Sequence, residues 1–328
     1  MRALVTGGGG FLGRYVVELL LARGDQVRVL GRRDYPDLAA QGVECLRGDV
    51  SDLDAVTAAC AEQDVVFHTA AIAGIWGRWQ DFYQTNVVGT QNILAGCRKR
   101  QVRKLVFTSS PSVTFDGADQ NGVDETAPYP NRWLAHYPHT KALAEQQVLA
   151  AHQPGSLLTC ALRPHLIWGP RDQHLIPRLI QRAQSGKLRI VGDGKNRVDM
   201  IYVENAAIAH LQAADALTDE SPVGGKAYFL SQGEPVVCWE WINQLLELAK
   251  IPPLRRKISY RAAYAIGRVL ETAYQIARKY DAEPRMTRFL AAQLATNHYF
   301  DLTAAQRDFG YQPQISQEEG MRRLAETL

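Results

Sequence analysis

No stretch of about 18 uninterrupted apolar residues occurs in this chain of 328 residues, which excludes a membrane-spanning helix of ordinary length. Cysteine is scarce. Cys45, Cys60, Cys97, Cys160 and Cys238 are odd in number and never spaced C-x-x-C, so neither a disulfide framework nor a zinc site is expected. They read as buried thiols of a reducing compartment. Charge of one sign is not in excess: a net charge of +3 over this length offers no basic face for a nucleic acid. No internal repeat, low-complexity segment or metal-ligand cluster is visible. A leader peptide is not expected, because residue 2 already begins a strand-like run, and the expected location is cytoplasmic.

What is there is a rhythm. Apolar runs at residues 2–6, 26–30, 43–46, 64–68, 104–108 and 157–162 alternate with helical patterns, notably at 11–23, 53–61, 86–99 and 140–152. Strand, helix, strand at this spacing means right-handed crossovers and a parallel sheet covered on both faces. The expected fold class is α/β: a Rossmann doubly wound sheet with a smaller, mostly helical C-terminal substrate subdomain. After Pro170 the rhythm loosens, with strand-like runs at 198–203 and 228–230, a helix at 206–216 and a mostly helical text from about 238. The division expected is a dinucleotide-binding domain over 1–170, with 196–237 returning to it, and a substrate subdomain from 171–195 and 238–328.

Gly7, Gly10 and Gly13 follow the first strand at G-x-x-G-x-x-G spacing and open a helix. A side chain in this turn would hold a pyrophosphate off the backbone, and the helix start offers free N–H groups and the positive dipole end. Phe11 and Leu12 lie within the turn and belong to the same candidate site. Asp49, with Val50, is placed to meet an adenine amino group, or with Ser51 and Asp52 to cap the next helix. Ala70 and Ala71, after His68, are small enough to let a flat cofactor approach. Asn86 reads equally as a helix cap or a cofactor contact. The second strand ends on Gly31, followed by Arg32 and Arg33. An absent carboxylate and two guanidiniums favour a ribose 2′-phosphate, hence NADPH, with NAD the alternative.

Tyr137-Pro-His-Thr-Lys141 places a phenol and an ammonium one turn apart at a helix start. Pro138 is tolerated in a first turn. A free phenol titrates near about 10, and a neighbouring ammonium is expected to lower it toward the working range. Lys141 can also reach the ribose hydroxyls of a nicotinamide cofactor. Thr108-Ser-Ser110 ends the fifth strand, where a hydroxyl can donate to a substrate oxygen as charge grows on it. A Ser-rich turn is the plainer meaning of that run.

Together, Thr6-Gly-Gly-Gly-Gly-Phe-Leu-Gly13, Thr85-Asn-Val-Val-Gly-Thr90, Phe107-Thr-Ser-Ser110, Tyr137-x-x-x-Lys141 and Leu162-Arg-Pro-His-Leu-Ile-Trp-Gly-Pro170 resemble the extended short-chain dehydrogenase/reductases. Within them the chain is most similar to the 3β-hydroxysteroid dehydrogenase group, over nearly its whole length. The resemblance implies Ser110 as catalytic serine, Tyr137 as general acid/base and Lys141 as its partner. Pro164, His165 and Leu166 would lie against the nicotinamide, and the homodimer would form through the helices at 86–99 and 140–152. It also implies carbonyl/alcohol interconversion on a lipophilic substrate. Reduction of a 2-alkyl-3-oxo acid is favoured, and a 3β-hydroxysteroid or sterol-carboxylate dehydrogenase is the near alternative. Gly31 departs from the acidic residue of NAD-using members.

Two features bear on the substrate. The segment Ile75-Trp-Gly-Arg-Trp-Gln-Asp-Phe-Tyr83 is dense in aromatics, with Trp76 and Trp79 as candidate contacts alongside Trp168. Between Tyr260 and Tyr280, apolar residues at helical spacing alternate with Arg261, Arg268, Arg278 and Lys279. That pattern suits a lid, a basic amphipathic helix resting on a membrane surface, or a core helix. Arg171, Arg178 and Arg285 are the candidates to meet a substrate carboxylate. A nucleotide-sugar epimerase or dehydratase shares the tyrosine and lysine, and a non-catalytic NAD(P)-binding protein is the rival from another class.

Overall fold

Seven parallel strands carry the molecule, described over residues 1–328 in a computed structural model. They are β1 (Arg2–Thr6), β2 (Gln26–Gly31), β3 (Glu44–Arg47), β4 (Val65–His68), β5 (Lys104–Thr108), β6 (Leu158–Pro164) and β7 (Ala227–Leu230). Their spatial order is β7-β6-β5-β4-β1-β2-β3, so the direction of winding reverses between β1 and β4. Sheets wound this way open a crevice at the carboxyl ends of the strands at that reversal. The apolar runs read from sequence become these strands because both faces are covered, and β6 is buried at every residue.

The helices that matter for the crevice are α1 (Phe11–Ala22), α2 (Leu53–Ala59), α3 (Gly89–Arg100), α4 (His136–Ala150), α5 (Val203–Ala216) and α6 (Tyr260–Ile276). Helix α1 presses Leu12, Tyr15, Val16, Val17 and Leu20 onto the sheet, the i, i+3, i+4 stripe of its sequence. A separate apolar cluster gathers Trp168, Ile176, Trp239, Trp241 and Leu245 from segments beyond β6. The stretch holding Phe300, Leu302 and Tyr311 packs instead on the main core, with Phe300 stacked on Phe229 at 4.2 Å.

Three sequence expectations change. The helix expected at 86–99 begins earlier: Trp79–Phe82 runs into a π-helical stretch, Tyr83–Val88, and then into α3. Asn86 is therefore inside a continuous helical segment and caps nothing. The strand-like run at 198–203 is split into Arg197–Val198 and Ile201–Tyr202, which pair in different small sheets. Buried Asp199 causes the break, because its carboxylate turns inward to accept the Phe300 N–H at 2.8 Å. Helix α6 is not a plain core helix. It buries Ala263, Gly267 and Glu271 but leaves Ile266, Val269 and Ile276 exposed.

Candidate active site

The turn between β1 and α1 is built without room for side chains. Gly7 sits at φ +70°, and a Cβ on Gly13 would lie 2.3 Å from the Gly7 carbonyl oxygen. The Gly10 N–H donates back to that same carbonyl at 2.8 Å, closing the turn. Gly10 caps α1 with no side-chain acceptor, so the first N–H groups of a 12-residue helix face the crevice unclaimed. Oriented donors, a positive helix end and a close-packed glycine turn fit a dinucleotide's phosphates.

Gly31 has a reason that the sequence did not disclose. A Cβ there would lie 2.5 Å from the Tyr35 hydroxyl, and one on Gly9 would lie 1.9 Å from the Tyr35 ring. Tyr35 thus occupies the space a carboxylate on β2 would need. Arg32 and Arg33 beside it are exposed and paired with nothing. Asp49 is not the helix cap: Asp52 caps α2, accepting from Asp54 N and Ala55 N, and Asp49 accepts from Ser51 N and Oγ at 2.9 and 2.8 Å. Val50 is buried against Gly89.

At the ends of β4 and β5 the polar groups are bound to one another. His68 lies buried with Nδ1 2.7 Å from the Thr6 hydroxyl and Nε2 3.1 Å from that of Thr90. Burial and the nearby Lys141 hold its pKa down to about 3, so it is neutral. Ala70 donates its N–H to Thr6 Oγ1 at 3.3 Å, and Ala71 follows in the open. Asn86, 2% exposed, grips Ile72 through both its N–H and its carbonyl and donates to Thr140 Oγ1 at 3.1 Å. It ties the segment after β4 to the helix carrying the tyrosine, and the π-helical turn aims it there. Sequence signalled this residue but not this task.

Ser110 sits where β5 ends, its hydroxyl 2.9 Å from that of Ser112. Tyr137 and Lys141 rise from the first turns of α4, which opens at Ala135 with no side-chain cap. Lys141 is buried, stacked 3.9 Å from the centre of the Phe107 ring, and donates to the Thr108 carbonyl at 2.5 Å. The Thr108 hydroxyl is engaged with His210 at 2.8 Å, so only its carbonyl serves the site. Burial lowers Lys141 to about 7, against the upward pull of Glu145. The expected lowering of the Tyr137 phenol is not found. Burial raises it, and the Ser110 hydroxyl only partly opposes this. Desolvation wins, and the Lys141 ammonium is turned to the Thr108 carbonyl.

Pro164 ends β6 buried. The His165 ring is turned away to pack edge-on against His298 and Phe300, so any cofactor contact from it is through backbone. Leu166 stands at φ +43°, a strained conformation for a branched residue at the sheet's carboxyl edge.

Next to α4 lies a cavity of about 420 Å³. Trp79 packs on His136 and His139 at 5.4 and 4.9 Å, and Trp133 stacks flat on His139 at 5.1 Å. Trp76 closes one side, its indole N–H donating to the Lys279 carbonyl at 2.9 Å and its ring stacked on Tyr280. Of the six substrate candidates only Trp76 and Trp79 line this space. Trp168 is fully buried in the cluster with Tyr202 and Trp241. Arg171 lies by the glycine turn with Glu18 holding both its amino groups, Arg178 is paired with Glu283, and Arg285 is on the outer surface. Sequence spacing could not separate these arginines. The cations that do line the cavity, Arg132 and Arg288, were missed for the same reason.

The model of the 3-beta hydroxysteroid dehydrogenase/isomerase family matches residues 4–256. A 2-alkyl-3-oxoalkanoate reductase of Stenotrophomonas maltophilia is 49% identical over 327 residues, covering 99% of this chain and 98% of that protein. The decarboxylating sterol-4-alpha-carboxylate 3-dehydrogenase of Homo sapiens is 35% identical over 330 residues, covering 100% and 88%. Among solved structures, MoeE5 in complex with UDP-glucose and NAD superposes with a TM-score of 0.75 at 26% identity, covering 99% of this chain and 98% of that one.

Proposed function

The chain belongs to the 3-beta hydroxysteroid dehydrogenase/isomerase family, NAD(P)-dependent oxidoreductases of hydroxyl and carbonyl groups, and from that premise we propose that it uses NADPH to reduce the 3-oxo group of a 2-alkyl-3-oxo acid. The observation that carries the reading is the grouping of the Tyr137 phenol, the Ser110 hydroxyl at the end of β5 and the buried Lys141 ammonium at the start of α4, and the reductive direction is supported by the 49% identical reductase. A protonated phenol is a proton donor, the role that carbonyl reduction requires. NADPH, when bound, supplies the hydride to the carbonyl carbon. Tyr137 delivers the proton to the carbonyl oxygen, and Ser110 donates a hydrogen bond to that oxygen as its charge grows. Lys141 anchors the ribose and exchanges protons with the phenol. The glycine turn, Asp49 and the backbone of Pro164 to Leu166 hold the dinucleotide. The substrate class is supported by the 49% identical reductase and by the aromatic cavity beside α4.

The preference for NADPH rests on Gly31, Arg32 and Arg33. Replacing both arginines by Ala should weaken NADPH binding about tenfold or more, the scale of a lost charge-assisted hydrogen bond, and leave NADH unchanged. Fluorescence titration with each cofactor reads this, and equal losses for the two would contradict it. The exposed Ile266, Val269 and Ile276 between Arg261, Arg268 and Arg278 support peripheral contact with an anionic membrane surface. The outward faces of α3 and α4 are the proposed homodimer surface.

The deciding assay follows NADPH oxidation with a long 2-alkyl-3-oxo acid, a 3-oxosteroid and a UDP-sugar. The acid should be consumed at a rate well above the others. Preferential turnover of the steroid would move the chain to the sterol branch of its family, and turnover of the sugar with tightly retained NAD would replace the reading altogether.

A further inference from the structure

We propose that Arg132 is the specificity-determining residue that receives the substrate's carboxylate, an assignment that rests on the proposed reduction of a 2-alkyl-3-oxo acid. The charges around the cavity single it out. Glu271, 5% exposed, has one oxygen on the Arg288 N–H at 2.6 Å and the other on Arg288 Nε at 2.6 Å, so this pair closes on itself. Burial lowers the pKa of both His136 and His139, and His136 adds to the lowering of His139. Arg132 alone carries charge with no partner. It stands exposed at the rim of the cavity beside Trp133, free to meet an incoming anion.

Arg132 lies on the segment that leads into α4, five residues before Tyr137, and the α4 residues His136 and His139 line the same cavity as Arg132. A guanidinium meets a carboxylate with two parallel N–H donors, which orients as well as attracts. The alkyl branches are left to the Trp79 and Trp133 surfaces. Two of the arginines that the sequence offered for this role are already engaged, Arg171 by Glu18 and Arg178 by Glu283.

The test uses a 2-alkyl-3-hydroxy acid, which does not decarboxylate as a 3-oxo acid does, and its methyl ester. Each is oxidised with NADP⁺ by the wild type, Arg132→Gln and Arg132→Lys. Loss of a charge-assisted contact predicts that Arg132→Gln lowers kcat/KM for the acid by about 10- to 100-fold, mostly through KM, and leaves the ester unchanged. Arg132→Lys should recover part of the loss. Quenching of Trp79 and Trp133 fluorescence by the acid alone, without cofactor, should weaken in parallel. Equal effects on acid and ester, or none on either, would overturn the assignment. A wild type that turns over neither compound refutes the proposed reaction. The fluorescence titration then still decides Arg132: acid binding lost in Arg132→Gln supports it, and binding retained overturns it.

Discussion

Tyr137→Phe is expected to lower turnover by a factor of roughly 10² to 10⁴, the range lost when a positioned proton donor is removed, with NADPH affinity unchanged. The substitution deletes one oxygen and keeps the ring that α4 presents to the crevice, so the fold and the glycine turn have no reason to respond. The pH profile carries the sign. In the reductive direction the phenol must be protonated, and burial keeps it so through neutrality, giving a rate that does not fall as pH rises through 7 on this group's account. In the oxidative direction the same oxygen must accept a proton, so that rate should climb with pH. Steady-state kinetics in both directions, with cofactor binding measured separately, check this. A Phe variant that keeps its activity would remove Tyr137 from the chemistry.

The second large effect lies about two turns further along α4. Glu145 is fully buried and holds Arg163, 3% exposed, through bonds of 3.0 and 2.6 Å, while the Tyr129 hydroxyl donates to it at 2.7 Å. Removing one partner of such a pair leaves a guanidinium without compensation in the interior. Glu145→Ala should therefore cost about 3–5 kcal/mol in chemical denaturation. The double variant Glu145→Gln, Arg163→Met should lose less than either single change; additive losses would mean that the two charges do not act as a pair. Glu145 also raises Lys141. The folded-state value of about 7 lies below the ordinary 10.5, so between these pH values the unfolded chain binds a proton the folded chain does not. Stability from this group therefore rises with pH across that window. Without Glu145 the window should extend further down.

Both effects centre on a helix whose role in the sequence was carried by spacing alone. Tyr137 and Lys141 share a face because 3.6 residues make a turn, and Gly7, Gly10 and Gly13 make a tight turn because they lack Cβ atoms. Such features are local, so they are readable residue by residue. What was misjudged involves partners far along the chain. Asn86 read equally as a cap or a cofactor contact, and the cap reading gives way to its bonds with Ile72 and Thr140, 14 and 54 residues away. Trp168 looked like a substrate contact but packs edge-on in the interior against Trp241. The phenol's pKa was expected to fall because an ammonium is near in sequence, yet its value is set by how much water the fold removes.

The sequence by itself determined the parallel sheet, the glycine turn, the order of the catalytic candidates along the chain and the missing carboxylate at Gly31, because periodicity, steric allowance and helical spacing act over a few residues. Only the tertiary structure decided that Tyr35 fills the place of that carboxylate, that Glu18 and Glu283 engage Arg171 and Arg178, and that Arg132 is left unpaired at an aromatic cavity. Those are matters of which distant segments meet. Charge pairing and desolvation depend on that meeting, and no local pattern encodes it.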